Sequence, residues 1–264
     1  MIFRALLSWL AFPVYVWQGI GVRLRTERLL PAEGPVIHHI PGKGGPVRLL
    51  VVGDSSAASV GIGKTERGLA ALLAARIAAE TGRPVDWRAA GFNSATAGQL
   101  RDHVLPNLAH DGWNLIVLSV GTNDAKNFHT VSRFKREFGG LLYALRAKWP
   151  EARIVWSPVV EMEKVPALPA LLGRILGIRA ELINRMGARL CQERGAMAAS
   201  RLPIIDATGF STDGFHASEA GYAAWADHIW MFVSALLPSR AAPRRSASSR
   251  QAQPRRSSRS RRAS

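Results

Sequence analysis

The stretch at residues 47–61, VRLLVVGDSSAASVG, most constrains the fold of this chain. Its first six residues are rich in Val and Leu, which is typical of a short strand buried on both faces of a parallel sheet. The run ends at Gly53-Asp54-Ser55, and a helical pattern begins near Thr65. Open α/β sheets bind ligands beyond the carboxyl ends of their strands, so the Ser55 hydroxyl is expected at such a site. The same residue types are also common in plain turns.

Strand and helix patterns alternate along the rest of the chain. Further strands are predicted at residues 85–90, 115–120, 154–157 and 202–205. Helices are predicted at residues 65–79, 97–108, 131–148, 171–193 and 220–236. Such alternation indicates an α/β fold, with a parallel sheet that helices cover on both faces.

The formal net charge of +16 is unevenly distributed along the chain. Residues 239–264 form an Arg/Ser-rich tail that holds nine arginines and no acidic residue. This composition offers almost nothing to bury, so the tail is predicted to be disordered. Its arginines could make weak contacts with nucleic acid or anionic lipid, or they could remain solvated without a dedicated partner.

The hydrophobic N-terminal segment, residues 1–25, contains an uncharged stretch at residues 5–22. This stretch has about the minimum length for a membrane span, and aromatic residues and arginines suit its ends. Pro13 and Gln18 disfavour a simple span, and no small-residue cleavage site follows. We predict an uncleaved anchor or interfacial helix at a membrane surface, with a helix packed on the domain as the alternative. The heavier positive charge after the stretch favours a cytoplasmic catalytic domain.

Residues 26–46 contain four prolines and the pair His38-His39, a composition that predicts a surface linker. No third ligand at helical or turn spacing accompanies the two histidines, so we interpret them as exposed linker residues. Cys191, the single cysteine, lies in a helical pattern and is expected to be a small buried hydrophobe. The sequence therefore predicts neither a metal nor a cofactor.

Small polar groups follow the first three predicted strands: GDS at 53–55, GFNS at 91–94 and GTND at 121–124. Parallel strands end at one edge of a sheet, so these groups are expected to converge. A fourth group, DGFH at 213–216, precedes the last helix. Its Asp and His can hydrogen-bond each other across a turn, and a hydroxyl nucleophile needs such an oriented base.

Hydrolysis of an ester also requires hydrogen-bond donors for the oxyanion. The candidates are the Ser55 backbone N–H, a backbone N–H of the second group and the side-chain amide of Asn123. Without that role, Asn123 would be a turn residue that tolerates left-handed geometry. Asp54 and Asp124 are interpreted as capping residues.

Taken in order, the four groups resemble the four sequence blocks of the SGNH (GDSL) hydrolase superfamily, over roughly residues 47–237. Bacterial esterase or lysophospholipase-like members with an N-terminal hydrophobic segment are especially similar. The resemblance implies a three-layer α/β/α sandwich with a flavodoxin-like parallel sheet, here a hydrolase domain at residues 47–238. It also implies metal-independent hydrolysis of carboxyl esters or thioesters through an acyl-enzyme intermediate.

The resemblance implies Ser55 as the nucleophile, His216 as the base and Asp213 as its orienting partner. It further implies an oxyanion hole built from Asn123 and an amide of the second block. That block departs from the usual pattern G-x-x-G-x-T, because Ser94 stands where the later Gly supplies its amide. We assign the Ser94 N–H as the donor, with the Gly91 N–H as the fallback.

A nucleotide-binding protein is the alternative enzyme class, because Ala58, Gly63, Lys64 and Thr65 give a relaxed match to a P-loop. Against it, Ala58 replaces the first Gly of that motif, and the strand ends five residues too early.

A membrane-tethered binding module without activity is the non-enzyme alternative. The joint presence of Ser55, Asn123, Asp213 and His216 argues against it. The expected substrate is a small-molecule or lipid ester, and the membrane-proximal segment favours a lysophospholipid or another amphiphilic acyl ester. Deacetylation of a sugar remains open, as does the oligomeric state.

Overall fold

A computed structural model of the chain describes residues 2–110, 112–204 and 206–237. Its central sheet has six strands: β1 (Ile37–Ile40), β2 (Val47–Gly53), β3 (Val85–Gly91), β4 (Leu115–Ser119), β5 (Arg153–Ser157) and β6 (Met197–Ala198). Their order in the sheet is β1-β3-β2-β4-β5-β6. All neighbouring strands pair in parallel except β1, which pairs antiparallel with β3 at one edge. The predicted tail at 239–264 lies outside the described residues.

Helices cover both faces of this sheet. They are α1 (Ile2–Leu10), α2 (Phe12–Arg25), α3 (Leu69–Thr81), α4 (Ala97–Gln99), α5 (Thr122–Lys126), α6 (Val131–Lys148), α7 (Ala170–Glu193) and α8 (Glu219–Val233). Leu49 and Val51 of β2 belong to a core shared with α3 and α8. Leu50 and Val52 belong to a second core shared with α6 and α7. The continuous apolar run of β2 is thus buried on both faces, and the predicted three-layer α/β fold is confirmed.

Several predicted elements differ from the structure. The last strand was expected at 202–205, but β6 lies at Met197–Ala198, and residues 202–204 have no regular structure. Pro203 explains this difference, because it lacks the N–H that a strand ladder requires. The helix expected at 65–79 begins only at Leu69, after a 3₁₀ turn over Thr65–Arg67.

The predicted helix at 97–108 is irregular. Only α4 is α-helical, and a π-helical turn over Leu100–Val104 and a 3₁₀ turn over Leu105–Asn107 follow it. Pro106 lies inside the last turn and has no N–H to continue an α-helix.

The predicted linker at 26–46 contains β1, which the sequence analysis missed. Three of its four residues are exposed, so no alternation of buried and exposed side chains marks it as a strand. His39 Nδ1 lies 2.7 Å from Asp86 Oδ1 on β3, and this contact helps hold the edge strand. As predicted, both histidines are exposed.

The N-terminal helices pack against the domain. The rings of Trp9, Phe12 and Tyr15 surround Phe128, with centroid distances of 5.4, 5.2 and 4.3 Å. The Tyr15 hydroxyl donates to the Lys126 carbonyl at 2.5 Å. This packing matches the alternative stated for the segment. Within the described ranges, no helix is long and apolar enough to cross a membrane.

Candidate active site

The predicted convergence of the polar groups occurs at the carboxyl edge of the sheet. Gly53 at the end of β2 is in register with Gly91 at the end of β3 and with Ser119 at the end of β4. A Cβ on Gly53 would lie 2.5 Å from the Ser119 carbonyl, so only glycine fits where the nucleophile turn leaves the sheet. The loops that follow the three strands therefore lie side by side.

The turn after β2 distinguishes Ser55 from Ser56. Asp54 Oδ1 accepts hydrogen bonds from the Ser56 N–H at 3.1 Å and from the Ser56 hydroxyl at 2.9 Å, so Asp54 caps the turn as expected. Ser56 is buried, and its Oγ also lies 2.5 Å from Ser119 Oγ. The Ser55 hydroxyl is half-buried and has no hydrogen-bond partner among the residues described. Ser55 therefore presents the uncommitted hydroxyl of this turn.

The turn at 213–216 places an imidazole on a buried carboxylate. His216 Nδ1 lies 2.5 Å from Asp213 Oδ2, and Asp213 Oδ1 accepts the backbone N–H groups of Phe215 and His216 at 2.9 Å each. Burial alone would raise the pKa of Asp213, but the hydrogen bonds from His216 and Phe215 hold that pKa below its ordinary value. An ionised Asp213 assigns the proton to Nδ1 and leaves Nε2 as the acceptor.

One cavity of about 970 Å³ unites the predicted residues: Ser55, Ser94, Asn123, Asp213 and His216 all line it. The structure shows no hydrogen bond between the Ser55 hydroxyl and the imidazole. Contacts of this kind are often loose before substrate binds and tighten in the substrate complex. The arrangement provides a hydroxyl, a base and candidate donors around one space.

Ser94 adopts the left-handed backbone conformation expected of the Gly that it replaces. Its φ angle is +65°, and its backbone N–H has no acceptor in the described part of the chain. The N–H is therefore available as a donor despite the change of residue. Gly91, the fallback donor, is the last residue of β3 and does not line this cavity.

Asn123 is buried at the start of α5, where it links its own loop to the loops after β2 and β3. Its Nδ2 donates to Asp54 Oδ2 at 3.2 Å and to the Ala95 carbonyl at 3.0 Å. Both amide hydrogens thus have acceptors, and donation to an oxyanion requires Asn123 to share or release the longer bond. Burial raises the pKa of Asp54, partly opposed by hydrogen bonds from Ser56 and by the charges of Lys126 and His216.

Lys126 also lines the cavity, and the sequence analysis missed it. It lies one helical turn after Asn123, and its Nζ is 5.4 Å from the centroid of the Phe215 ring. Burial lowers the pKa of Lys126, the charge of Asp54 raises it, and the charge of Arg23 lowers it further. The i, i+3 spacing from Asn123 was the available signal, because such residues share a helix face.

The N-terminal segment forms part of the cavity wall, which the sequence analysis did not predict. Tyr15, Gly19, Ile20, Val22 and Arg23 of α2 all line the cavity. Much of another wall is apolar and comes from the region before and within α7: Val160, Met162, Val165, Leu168, Leu172 and Leu176. The cavity lining therefore combines the polar groups of the predicted site with many apolar side chains.

A second polar cluster lies outside the cavity lining. Asp124, His129 and Glu137 are buried, and their candidate ligand atoms lie within 4.8 Å of one another, close enough to hold a metal ion. His129 Nδ1 is 3.1 Å from Asp124 Oδ1 and 3.5 Å from Glu137 Oε2. The sequence analysis identified no metal-ligand cluster, because the spacings of five and eight residues between Asp124, His129 and Glu137 form no recognised ligand motif. Asp124 Oδ2 also accepts the Ala97 N–H at 3.1 Å, which agrees with its predicted capping role.

Two other sequence interpretations can be compared with the structure. Cys191 is buried as expected, and burial raises the pKa of its thiol to about 12, which disfavours a nucleophilic thiolate. Lys64 of the P-loop-like match forms an exposed ion pair with Glu33 at 3.1 Å and does not line the cavity. Neither residue offers a competing catalytic centre.

Comparison with known proteins identifies the class to which this fold and site belong. The sequence profile of the GDSL-like lipase/acylhydrolase family matches residues 51–224, more than half of the chain. The chain belongs to this family and is an ester-hydrolysing enzyme of the SGNH type. No curated protein matches the sequence.

Several solved structures share the fold. TesA is 22% identical, with a TM-score of 0.60 over 72% of this chain and 99% of the TesA chain. The psychrotrophic esterase EstA from Pseudoalteromonas sp. is 15% identical, with a TM-score of 0.57 over 72% of this chain and 98% of that one. The family 3 carbohydrate esterase of Clostridium thermocellum is 16% identical, with a TM-score of 0.57 over 74% of this chain and 100% of that one.

Proposed function

We propose that this enzyme is a serine hydrolase that cleaves amphiphilic acyl esters, such as lysophospholipids, through an acyl-enzyme intermediate. The observation that carries the proposal is the shared cavity. Its lining includes Ser55 and the Asp213–His216 pair together with many apolar side chains, and this supports the proposal. Apolar lining suits the acyl chain, and the polar groups suit the ester carbonyl.

In the proposed reaction the Ser55 oxygen bonds to the carbonyl carbon while His216 Nε2 takes the hydroxyl proton. Asp213 stabilises the imidazolium that forms. The N–H groups of Ser55 and Ser94 and the amide of Asn123 donate to the oxyanion. His216 then gives its proton to the departing alcohol or thiol, and the acyl group remains on Ser55. Water, deprotonated by His216, cleaves this ester and regenerates the hydroxyl.

The proposed setting is a membrane surface, with the catalytic domain on the cytoplasmic side. Leu10, Trp17 and Leu24 of the N-terminal helices are 79%, 74% and 80% exposed, and none of them lines the cavity. Apolar side chains next to arginines suit an interfacial helix. Because α2 also forms cavity wall, a lipid substrate at the interface would lie close to the cavity. The arginine tail could add weak contacts with anionic lipid.

A substrate panel tests the reaction. Purified protein should cleave p-nitrophenyl esters and lysophospholipid, with activity rising from acetyl to medium acyl chains. Ser55→Ala should abolish cleavage and labelling by a fluorophosphonate, whereas Ser56→Ala should still be labelled. The EstA structure is described as inhibited by monoethylphosphonate, which makes a phosphonate a suitable probe here. Activity confined to acetyl esters would favour sugar deacetylation, and labelling that survives in Ser55→Ala would overturn the nucleophile assignment.

The membrane proposal has a separate test. Replacing Leu10, Trp17 and Leu24 together by Ser should reduce sedimentation with anionic vesicles. It should also lower the ratio of activity on vesicle-borne substrate to activity on a soluble ester. Unchanged sedimentation would show that this face does not bind membranes.

A further inference from the structure

The cavity contains cations that the fold leaves without ion-pair partners. Arg23, Arg28 and Lys126 line it, and none of the three forms an ion pair or a side-chain hydrogen bond among the described residues. Exposed arginines at a surface are common. Lys126 is different, because it is partly buried and its pKa is lowered chiefly by that burial.

The carboxylates that line the same cavity, by contrast, are engaged within the fold. Asp54 accepts from Ser56 and Asn123, and Asp213 accepts from His216. The two others accept from hydroxyl groups: Asp206 from Thr208 at 2.5 Å, and Glu27 from Thr212 at 3.5 Å. The four carboxylates that line the cavity therefore accept hydrogen bonds within the fold, whereas its three Arg and Lys side chains form none among the described residues.

The position of Lys126 connects it to the reacting centre. It follows Asn123 by one turn of α5, and its Nζ stands over the ring of Phe215, which directly precedes His216. A cation–π contact is weak and leaves the three N–H donors of the ammonium group without acceptors. The ammonium group thus lies beside residues that adjoin both the proposed oxyanion donor and the proposed base.

Arg23 reaches the cavity from a different element, α2. Its charge lies close enough to lower the pKa of Lys126, so the two cations repel each other. The charge of Asp54 attracts Lys126, but the two carboxylate oxygens of Asp54 accept hydrogen bonds from Ser56 and Asn123 and none from Lys126. A further anion that contacts both cations would be stabilised by their charges. A phosphate or carboxylate between the two side chains would offset this repulsion and accept their N–H groups.

We infer that Lys126 and Arg23 form a subsite for an anionic group on the leaving part of the substrate, next to the scissile ester. This inference rests on the proposed esterase function and narrows its substrate class. The preferred substrates are amphiphilic esters or thioesters that carry a phosphate near the acyl bond. A lysophospholipid headgroup and the phosphates of an acyl-coenzyme A thioester are two sources of that same chemistry.

The test compares two substrates that differ only in the anionic group: a monoacylglycerol and the corresponding monoacylglycerol phosphate. The measured quantity is the ratio of their kcat/KM values. The full-length enzyme should prefer the phosphate. Lys126→Met should lower the ratio by about 10- to 100-fold, the range expected for losing a charged hydrogen bond. Lys126→Arg should restore most of the preference.

Matched controls separate the subsite from general charge effects. Lys43→Met removes an exposed lysine that does not line the cavity, and it should leave the ratio unchanged. Arg23→Gln should lower the ratio, whereas Arg25→Gln, on the same helix but outside the cavity lining, should not. The second source of phosphate is tested in the same way, by the ratio of kcat/KM for an acyl-coenzyme A to that for an acyl-N-acetylcysteamine thioester, which lacks phosphate. A preference on either substrate pair that depends on Lys126 supports the subsite.

Binding of dodecyl phosphate, measured by calorimetry, provides a readout that needs no turnover. The wild type should bind it more tightly than Lys126→Met or Arg23→Gln. If the protein binds dodecyl phosphate in a Lys126-dependent way but hydrolyses no ester, the proposed function is wrong and the subsite stands. Hydrolysis without any anion preference, or a preference that neither Lys126→Met nor Arg23→Gln changes, would overturn the subsite. If Lys126→Met fails to fold by thermal melting, the exposed pair of arginine variants still decides the question.

Discussion

Two Asp–His pairs with a buried carboxylate lie in the part of the chain that the structure describes, and they differ in what surrounds them. In the first, His216 Nδ1 lies 2.5 Å from Asp213, and both residues line the cavity. In the second, His129 Nδ1 lies 3.1 Å from Asp124, and neither residue lines it. The His216 side chain is 18% exposed and that of His129 only 6%. An Asp–His contact alone is therefore not a catalytic signal; the second ring nitrogen must also face a space that admits substrate.

The surroundings of the second pair favour a structural role. Glu137 adds a second carboxylate near the His129 ring, and Arg133 donates to Glu137 at 2.7 Å. The guanidinium of Arg179 donates to the His129 carbonyl and lies 4.8 Å from the centroid of the Phe128 ring. This network connects α5, α6 and α7 beneath the N-terminal helices. His129, like His216, has contacts only at Nδ1, but its ring is buried in this network and does not line the cavity.

Replacing each histidine by alanine should produce the largest difference in kcat between the two pairs. His216→Ala should lower kcat by about 10⁴-fold or more, because base and nucleophile act in one step. Ser55→Ala combined with His216→Ala should be scarcely worse than either alone. The measurement is steady-state hydrolysis of a p-nitrophenyl ester. If the two losses multiplied, Ser55 and His216 would not share a step.

Asn123→Ala should have the next largest effect, because it removes a proposed oxyanion donor near the first pair. We expect kcat to fall by about 10²- to 10³-fold with little change in KM, as for loss of one oxyanion donor. Since Asn123 also bonds Asp54 and Ala95, some loss of thermal stability should accompany it. A rise in KM at constant kcat would instead show that Asn123 binds the ground state.

His129→Ala should act on stability rather than on chemistry. Its removal leaves the buried carboxylates of Asp124 and Glu137 without their contacts to the ring, at a cost of about 1 to 3 kcal/mol. Urea unfolding measures this change, and kcat per folded molecule should fall far less than in His216→Ala. A folded His129→Ala protein with kcat as low as that of His216→Ala would contradict the structural role.

The motifs that carry the first pair are contiguous in sequence, which is why residues 213–216 could be singled out. The second pair also lies within six residues, but Glu137 and Arg179 come from other helices. The helix predicted at 131–148 was found at Val131–Lys148, because its apolar spacing is long and regular. Edge strand β1 was missed because it is mostly exposed.

The sequence could not show that α2 forms part of the cavity wall. Arg23 and Lys126 are more than 100 residues apart in the sequence. Their helices meet through tertiary contacts, such as those of Tyr15 with Phe128 and with the Lys126 carbonyl. Local patterns report periodicity and short motifs, but they do not report such long-range contacts. The roles given to Ser55, Ser94, Asn123, Asp213 and His216 stay predictions until the variants are measured.

The dependence of stability on pH tests whether the pKa of Asp213 is lowered in the folded protein. Its pKa in the folded protein is held below the ordinary value of 3.8, so its ionised form stabilises the fold at higher pH. That contribution should be lost as pH falls below 3.8 through the lowered folded pKa. The free energy of unfolding of Asp213→Asn should therefore lie furthest below that of the wild type near neutral pH. A gap that stays constant from pH 7 to pH 2.5 would contradict the lowered pKa.

The smallest expected effects come from substitutions of Ser94, whose backbone N–H is a proposed oxyanion donor. Ser94 has φ +65°, and a side chain in that region costs about 1–2 kcal/mol, which Gly avoids. Gly also gains freedom in the unfolded chain, so Ser94→Gly should stabilise the protein by only about 0.5 kcal/mol. Ser94→Ala keeps the Cβ and should not stabilise the protein.

Both Ser94 variants retain the backbone N–H, so kcat should stay within about threefold of the wild type if that N–H is the donor. An equal, large loss of kcat in both variants would place the function in the hydroxyl, because both lack it. Loss in Ser94→Gly but not in Ser94→Ala would show that the donor requires the rigidity that the side chain gives this turn.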